Sequence, residues 1–144
     1  MAITVKRITL WRGEIENRPG TLAGVLAPLV EAGTDLQVLM GYGHEGGGGA
    51  AVVELSPVSG GKPTKAAKNA GLGASAIPTL FVEGDNKKGL AHAMARAVAD
   101  AGINIHFLVA QAVGRRFSAV FGFGSDDDAR KASALIKKAA GKKK

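Results

Sequence analysis

The sequence predicts an α+β protein of two βαββαβ units, each an antiparallel sheet with its helices on one face. Three observations carry this. The chain repeats itself at a constant offset of 69 residues, so that Asn17-Arg18-Pro19-Gly20-Thr21-Leu22-Ala23 lies over Asn86-Lys87-Lys88-Gly89-Leu90-Ala91-His92. Helical and strand periodicities recur in the same order in both copies. Finally, 144 residues with 46% hydrophobic and 22% charged side chains hold enough apolar material for a core, at a length that fits one domain or two modules of about 70 residues sharing that core.

Residues 3–15 are rich in β-branched side chains with interrupted alternation and read as strand. Their apolar phase passes from odd positions (Ile3, Val5) to even ones (Ile8, Leu10) near Arg7, as expected where a strand changes face or sheet. Residues 20–32 read as helix, because Leu22, Val25, Leu26, Leu29 and Val30 recur at three- and four-residue spacing and Gly33 follows as a stop. Pro28 removes one backbone bond and is expected to bend that helix. Residues 36–42 and 50–55 are the next strands, with residues 43–49 as a glycine-rich hairpin loop and residues 62–70 as a weaker second helix. Residues 72–76 run into Ile77, which predicts one long strand shared by both units.

The second copy reads strand 77–82, helix 90–101, strands 103–112 and 117–123, and helix 126–140. Only Gly141 and three lysines remain for a sixth element. Residues 3–6 fall on 72–75 under the same offset and are expected to close the second unit. The order is that of the ferredoxin-like βαββαβ unit, with a domain division at 1–72 and 73–144, strand 3–6 completing the second unit and 72–76 the first. Burial is expected at Leu10, Leu22, Val25, Leu26, Leu29, Leu36 or Leu39, Val98 and Val120.

Glycine, at 21 residues, lacks the collagen period and belongs in turns, and the absence of cysteine excludes disulfides and thiolate chemistry. Of the net charge of +7, Lys137, Lys138, Lys142, Lys143 and Lys144 contribute five units, which reads as a solvated terminus. No apolar run is long enough to span a bilayer and no signal peptide is visible, so the expectation is a soluble, cytoplasmic chain with no membrane partner.

The segment Glu16-Asn17-Arg18-Pro19-Gly20-Thr21-Leu22, a helix ending in Ala32-Gly33 and a strand opening with Asp35-Leu36 together resemble the ACT domain. From residue 3 to 140 the chain resembles a stand-alone protein of two tandem ACT domains. The second loop, Asp85-Asn86-Lys87-Lys88-Gly89-Leu90, keeps the acidic residue, Asn and Gly but has Lys88 in place of the proline. The resemblance implies a non-catalytic regulatory role and an amino acid or related small molecule as ligand, bound commonly where two such domains pack side by side. Further assembly into a homodimer is expected because edge strands of such sheets are left available for pairing. The resemblance places the ligand at the two loops.

The loop chemistry suits such a ligand independently. Gly20 and Gly89 permit close approach to the amides of a helix start, which favour a carboxylate, while Asn17, Asp85 and Asn86 offer partners to an ammonium. The competing reading is an ordinary strand-to-helix turn built from generic turn formers. The candidate ligand-binding residues are Asn17, Arg18, Pro19, Gly20, Thr21 and Leu22 with Asp85, Asn86, Lys87, Lys88, Gly89 and Leu90. Strand residues 36–40 and 105–108, Leu39 and His106 in particular, are expected to form the far wall. The second loop is expected to bind more weakly, since Lys88 lacks the fixed φ of Pro19.

An RNA-binding or protein-interaction module of the same topology is the alternative. Phe117, Phe121 and Phe123 share one strand face, but Ala119 and Gly122 stand where bases would stack, and the aromatics are expected to pack beneath helices. Gly46 to Gly49 lacks the Lys-Ser/Thr ending of a phosphate loop. Asp126, Asp127 and Asp128 follow Ser125 and read as a helix start. His44, His92 and His106 have no metal-ligand spacing, and no catalytic set is legible, so neither metal, cofactor nor catalysis is expected.

Overall fold

The computed structural model describes residues 3–43 and 49–141. In chain order the elements are β1 (Thr4–Ile8), β2 (Trp11–Glu16), α1 (Thr21–Glu31), β3 (Val38–Gly43), β4 (Ala50–Ser56), α2 (Gly61–Asn69), β5 (Gly73–Ala74), β6 (Thr79–Asp85), α3 (Leu90–Asp100), β7 (Ile105–Val113), β8 (Arg116–Phe123) and α4 (Asp126–Gly141). They form two compact units, Thr9–Ala76 and Met1–Ile8 with Ile77–Lys144. The division falls between 76 and 77, and the first residues of the chain group with the second half.

The Thr9–Ala76 unit is a four-stranded antiparallel sheet of order β3-β4-β2-β5. The other has the order β1-β6-β8-β7, with β1 antiparallel to β6 from Thr4 opposite Glu83 to Ile8 opposite Thr79. Both orders describe one topology, the tandem βαββαβ α+β fold.

Each sheet buries its alternate positions under its own helices. In the first unit, Val53 and Leu55 of β4 pack with Val25 and Leu29 of α1, Ala67 of α2 and Leu72. Leu29 and Val25 sit at the centre of the helical stripe; Leu22 and Leu26 flank it and are half-buried, and Val30 is 65% exposed. In the second unit, Leu80 and Val82 of β6 and Phe117, Ala119, Phe121 and Phe123 of β8 meet Leu90, Met94 and Val98 of α3 and Ala129, Ala132, Ile136 and Ala140 of α4. Phe121 and Phe123 stack with ring centroids 6.1 Å apart. Aromatics committed to this core cannot offer faces to bases.

Three local expectations change. Residues 3–15 are two strands in different sheets, broken at Thr9 and Leu10 instead of near Arg7, because the fully buried Leu10 accepts a hydrogen bond from Ser75 N at 2.7 Å and turns the chain there. The long strand through Ile77 does not form. Ala74 pairs with Trp11, whereas Thr79 pairs with Ile8 and Gly122, and Pro78 between them has no N–H with which to continue a ladder. Of the alternatives Leu36 and Leu39, Leu36 packs half-buried against the first core and Leu39 is 45% exposed. The loop expected at 43–49 falls largely on residues 44–48, outside the described residues, and so does His44.

The break of register in β7 between Ile105 and Phe107 lays the Phe107 ring over Gly122 of β8. A Cβ built on Gly122 would lie 2.1 Å from Phe107 Cε2. Gly122→Ala is therefore expected to lower stability by about 1–3 kcal/mol, read from the midpoint of urea unfolding. Pairing it with Phe107→Leu should recover part of the loss.

Candidate functional site

The two repeat loops start from the same backbone device. Gly20 and Gly89 are the residues before α1 and α3, at φ of 91° and 80°, in the left-handed region that a side chain adopts only with strain. Neither helix start has a side-chain cap.

The first loop turns inward on itself. Arg18 Nε bonds Glu16 Oε2 at 2.5 Å, and Thr21 Oγ1 donates to the carbonyl of Glu16 at 2.6 Å. Asn17 N–H bonds the Gly49 carbonyl at 2.9 Å, and its side chain rests on Gly43 so closely that a Cβ there would lie 2.9 Å from Nδ2. Leu22 packs beside Gly41. What remains is a shallow concavity of about 410 Å³ to which Glu16, Arg18 and Thr21 contribute, along with Gly24, Pro28 and the end of α2. Asn17, Pro19, Gly20 and Leu22 do not line it.

The second loop opens onto a cavity of about 1000 Å³. All six residues from 85 to 90 line it, with His92, Ala93, Arg96, Ala97 and Asp100 of α3, the last turn of α4 and Ile3. Arg116 Nη1 donates to Asp85 Oδ1 at 3.1 Å, and Asn86 N–H bonds the Arg115 carbonyl at 2.7 Å, so the loop is tied to the β7–β8 hairpin. Lys87 Nζ donates to the Ala140 carbonyl at 2.9 Å, tying it to the end of α4. Residues 86–92 also border a smaller concavity of about 360 Å³ against Ala110, Gln111 and Ala112 of β7.

Leu39 and His106 stand on exposed stretches of β3 and β7 and line none of these three concavities. The concavities beside the second loop are bordered by Ala110 to Ala112 on one side and by residues 139–141 with Ile3 on the other. His92, Ala93, Arg96 and Ala97 escaped the sequence reading, although their helical spacing puts them on one side of α3, because nothing local shows what that side faces.

At the start of α4, Ser125 Oγ accepts from Asp128 N–H at 3.1 Å, so the aspartates serve the helix start. The Asp127 carboxyl is held below its ordinary value chiefly by its bond to Lys131, with Arg130 adding to this. Among the described residues no group of three or more His, Cys, Asp or Glu is placed to hold a metal, and no helix is long and apolar enough to cross a membrane. On the helix-free face of the first sheet, Tyr42 donates to Glu54 Oε2 at 2.9 Å; Glu54 is 4% exposed and its Oε1 has no partner.

No family model and no curated protein matches the chain. Solved structures do match over almost its whole length. It is similar to a protein from Bacteroides thetaiotaomicron (TM-score 0.71, 17% identity, covering 92% of this chain and 98% of that one). It is also similar to the regulatory subunit of aspartate kinase from Thermus thermophilus, in a ligand-free form (0.67, 18%, 96% and 97%). A third is the aspartate kinase of Clostridium acetobutylicum, described as an allosteric enzyme, of which this chain covers 34% (0.64, 16% identity). At these identities the likeness establishes the fold, and the fold is the tandem ACT-like one seen in aspartate kinase regulatory chains.

Tyr42 is the chain's one tyrosine, which makes it directly observable. Burial first, and then the bond to Glu54, raise its hydroxyl above the ordinary value, against a smaller opposing pull from Arg12. Ultraviolet phenolate titration of the folded chain should give a midpoint above that of the urea-unfolded chain, and Glu54→Gln should lower it only in part. A raised folded value means that this contribution to stability is complete below the unfolded pKa and is lost as pH rises through the folded one.

Proposed function

We propose that this chain is a non-catalytic regulatory protein that binds a small ligand, an amino acid or a related carboxylate, at the loop before the first helix of a unit. The loop at residues 85–90 is the principal site and the loop at 17–22 the lesser one, which reverses the order expected from Pro19. The carrying observation is the cavity of about 1000 Å³ lined by the whole second loop, against about 410 Å³ at an inward-bonded first loop. The regulatory role is supported by the fold's occurrence in a regulatory subunit of aspartate kinase. Assembly as a homodimer is part of this reading. Among the described residues, five of the six exposed large hydrophobics, Leu39, Tyr42, Leu108, Val109 and Val113, lie on the edge strands β3 and β7. β7 carries no Lys, Arg, Asp, Glu or Pro to blunt its edge.

Two measurements test this. A thermal-shift screen of the twenty amino acids and their deaminated analogues should find a stabilising ligand, and calorimetry should then separate the sites. Gly24 and Ala93 are repeat equivalents lining the two concavities. Ala93→Leu should weaken binding by about tenfold or more, roughly 1.4 kcal/mol, while Gly24→Leu should leave it nearly unchanged; the opposite pattern returns the site to the first loop. In sedimentation, the protein should run at twice its 14.6 kDa chain mass, and Val109→Lys should shift it toward monomer.

A further inference from the structure

We infer that the ligand of the larger cavity is a carboxylate that carries no ammonium group: an α-keto or α-hydroxy acid with an apolar body. The inference rests on the reading above for the place of the site and adds the ligand's chemical class. Recognition of an amino acid needs an acceptor for its ammonium as well as a cation for its carboxylate. The ionisable side chains lining this cavity are Asp85, Lys87, Lys88, His92, Arg96 and Asp100.

Both acids are already matched to protein cations. Asp85 Oδ1 holds Arg116 Nη1 at 3.1 Å, and Asp100 Oδ1 holds Arg96 Nε at 3.0 Å. The carbonyl of Ala140 stands at the negative end of α4, where a cation is favoured, and it accepts Lys87 Nζ at 2.9 Å. An ammonium at these acceptors would thus compete with cations already held from within the chain. Lys88 and His92, in contrast, have no acidic partner among the described residues and border the cavity from the loop and the first turn of α3.

The wider charge distribution has the same sign. The unit bearing this cavity contains 14 Lys and Arg against 6 Asp and Glu, and the other unit 5 against 6. The balance is +8 (14 minus 6) in the unit bearing the cavity and −1 (5 minus 6) in the other, so the field at the cavity attracts an anion and does not help a zwitterion. Between the charged groups the lining is apolar, with Ile3, Leu90, Ala93, Ala97 and Ala140, which suits an aliphatic body.

The test is calorimetry on the full chain with leucine, its α-keto and α-hydroxy analogues, and inorganic phosphate. The keto or hydroxy acid should bind about tenfold or more tightly than leucine. Lys88→Ala should remove about tenfold of that affinity, and Arg116→Ala, which releases Asp85, should narrow the gap by improving leucine. Leucine binding as well as its analogues would overturn this inference and leave the proposed site standing. Phosphate binding as well as the keto acid would overturn the apolar-body assignment. Binding of neither leucine nor its analogues, with all variants folded by circular dichroism, would overturn both.

Discussion

The ladder between β1 and β6 is the constraint on which the second unit depends. Five residue pairs join the first strand of the chain to a strand more than seventy positions later, and without them β6 would be a sheet edge. β6 reads Thr-Leu-Phe-Val at its start, buries all four, and is paired on both edges. β1 supplies the missing neighbour, and it does more than complete the sheet. Ile3 and Val5 pack against the core beneath α3 and α4, Arg7 pairs with Asp126 at the start of α4, and Ile3 forms part of the cavity wall. One antiparallel pairing thus sets the sheet order, anchors the long helix and finishes the pocket.

The two units share a topology and differ where chemistry is concerned. α2 ends after 9 residues, whereas α4 runs for 16 and brings its last turn alongside α3. In the first unit the loop bonds to itself through Glu16, Arg18 and Thr21; in the second the corresponding groups reach outward, to Arg116 on a hairpin and to Ala140 on a helix. A loop tied at its two sides to other elements is held open. The loop with the outward bonds borders the larger of the two concavities.

The charge pattern acquires meaning only with this asymmetry. Read along the chain, the lysines crowd toward the C-terminus and look like a solvated tail. Placed in the fold, three of the second unit's cations, Lys87, Lys88 and Arg96, line a cavity whose acids are paired, while the first unit is close to neutral. The exposed ion pairs contribute little to stability at such accessibility. The consequence we propose for the pairs of Asp85 and Asp100 is selectivity, since each engages an acceptor at the cavity.

By itself the sequence determined the repeat, the element types and their order, and the closing of the second unit by the first strand. Each of these follows from local signals: the offset relating Asn17 to Asn86, the spacing of Leu22, Val25 and Leu29, and the glycines before both helices, which adopt the left-handed conformation that side chains resist. Periodicity records which face of an element is buried and says nothing of what that face meets. The break at Leu10, the separation of β5 from β6 and the far wall of the pocket were therefore decided by tertiary structure. The wall required residues 3, 85–100 and 139–141 to meet, and the contact that fixes one side of it, from Lys87 to Ala140, spans 53 positions with no periodic pattern relating its ends.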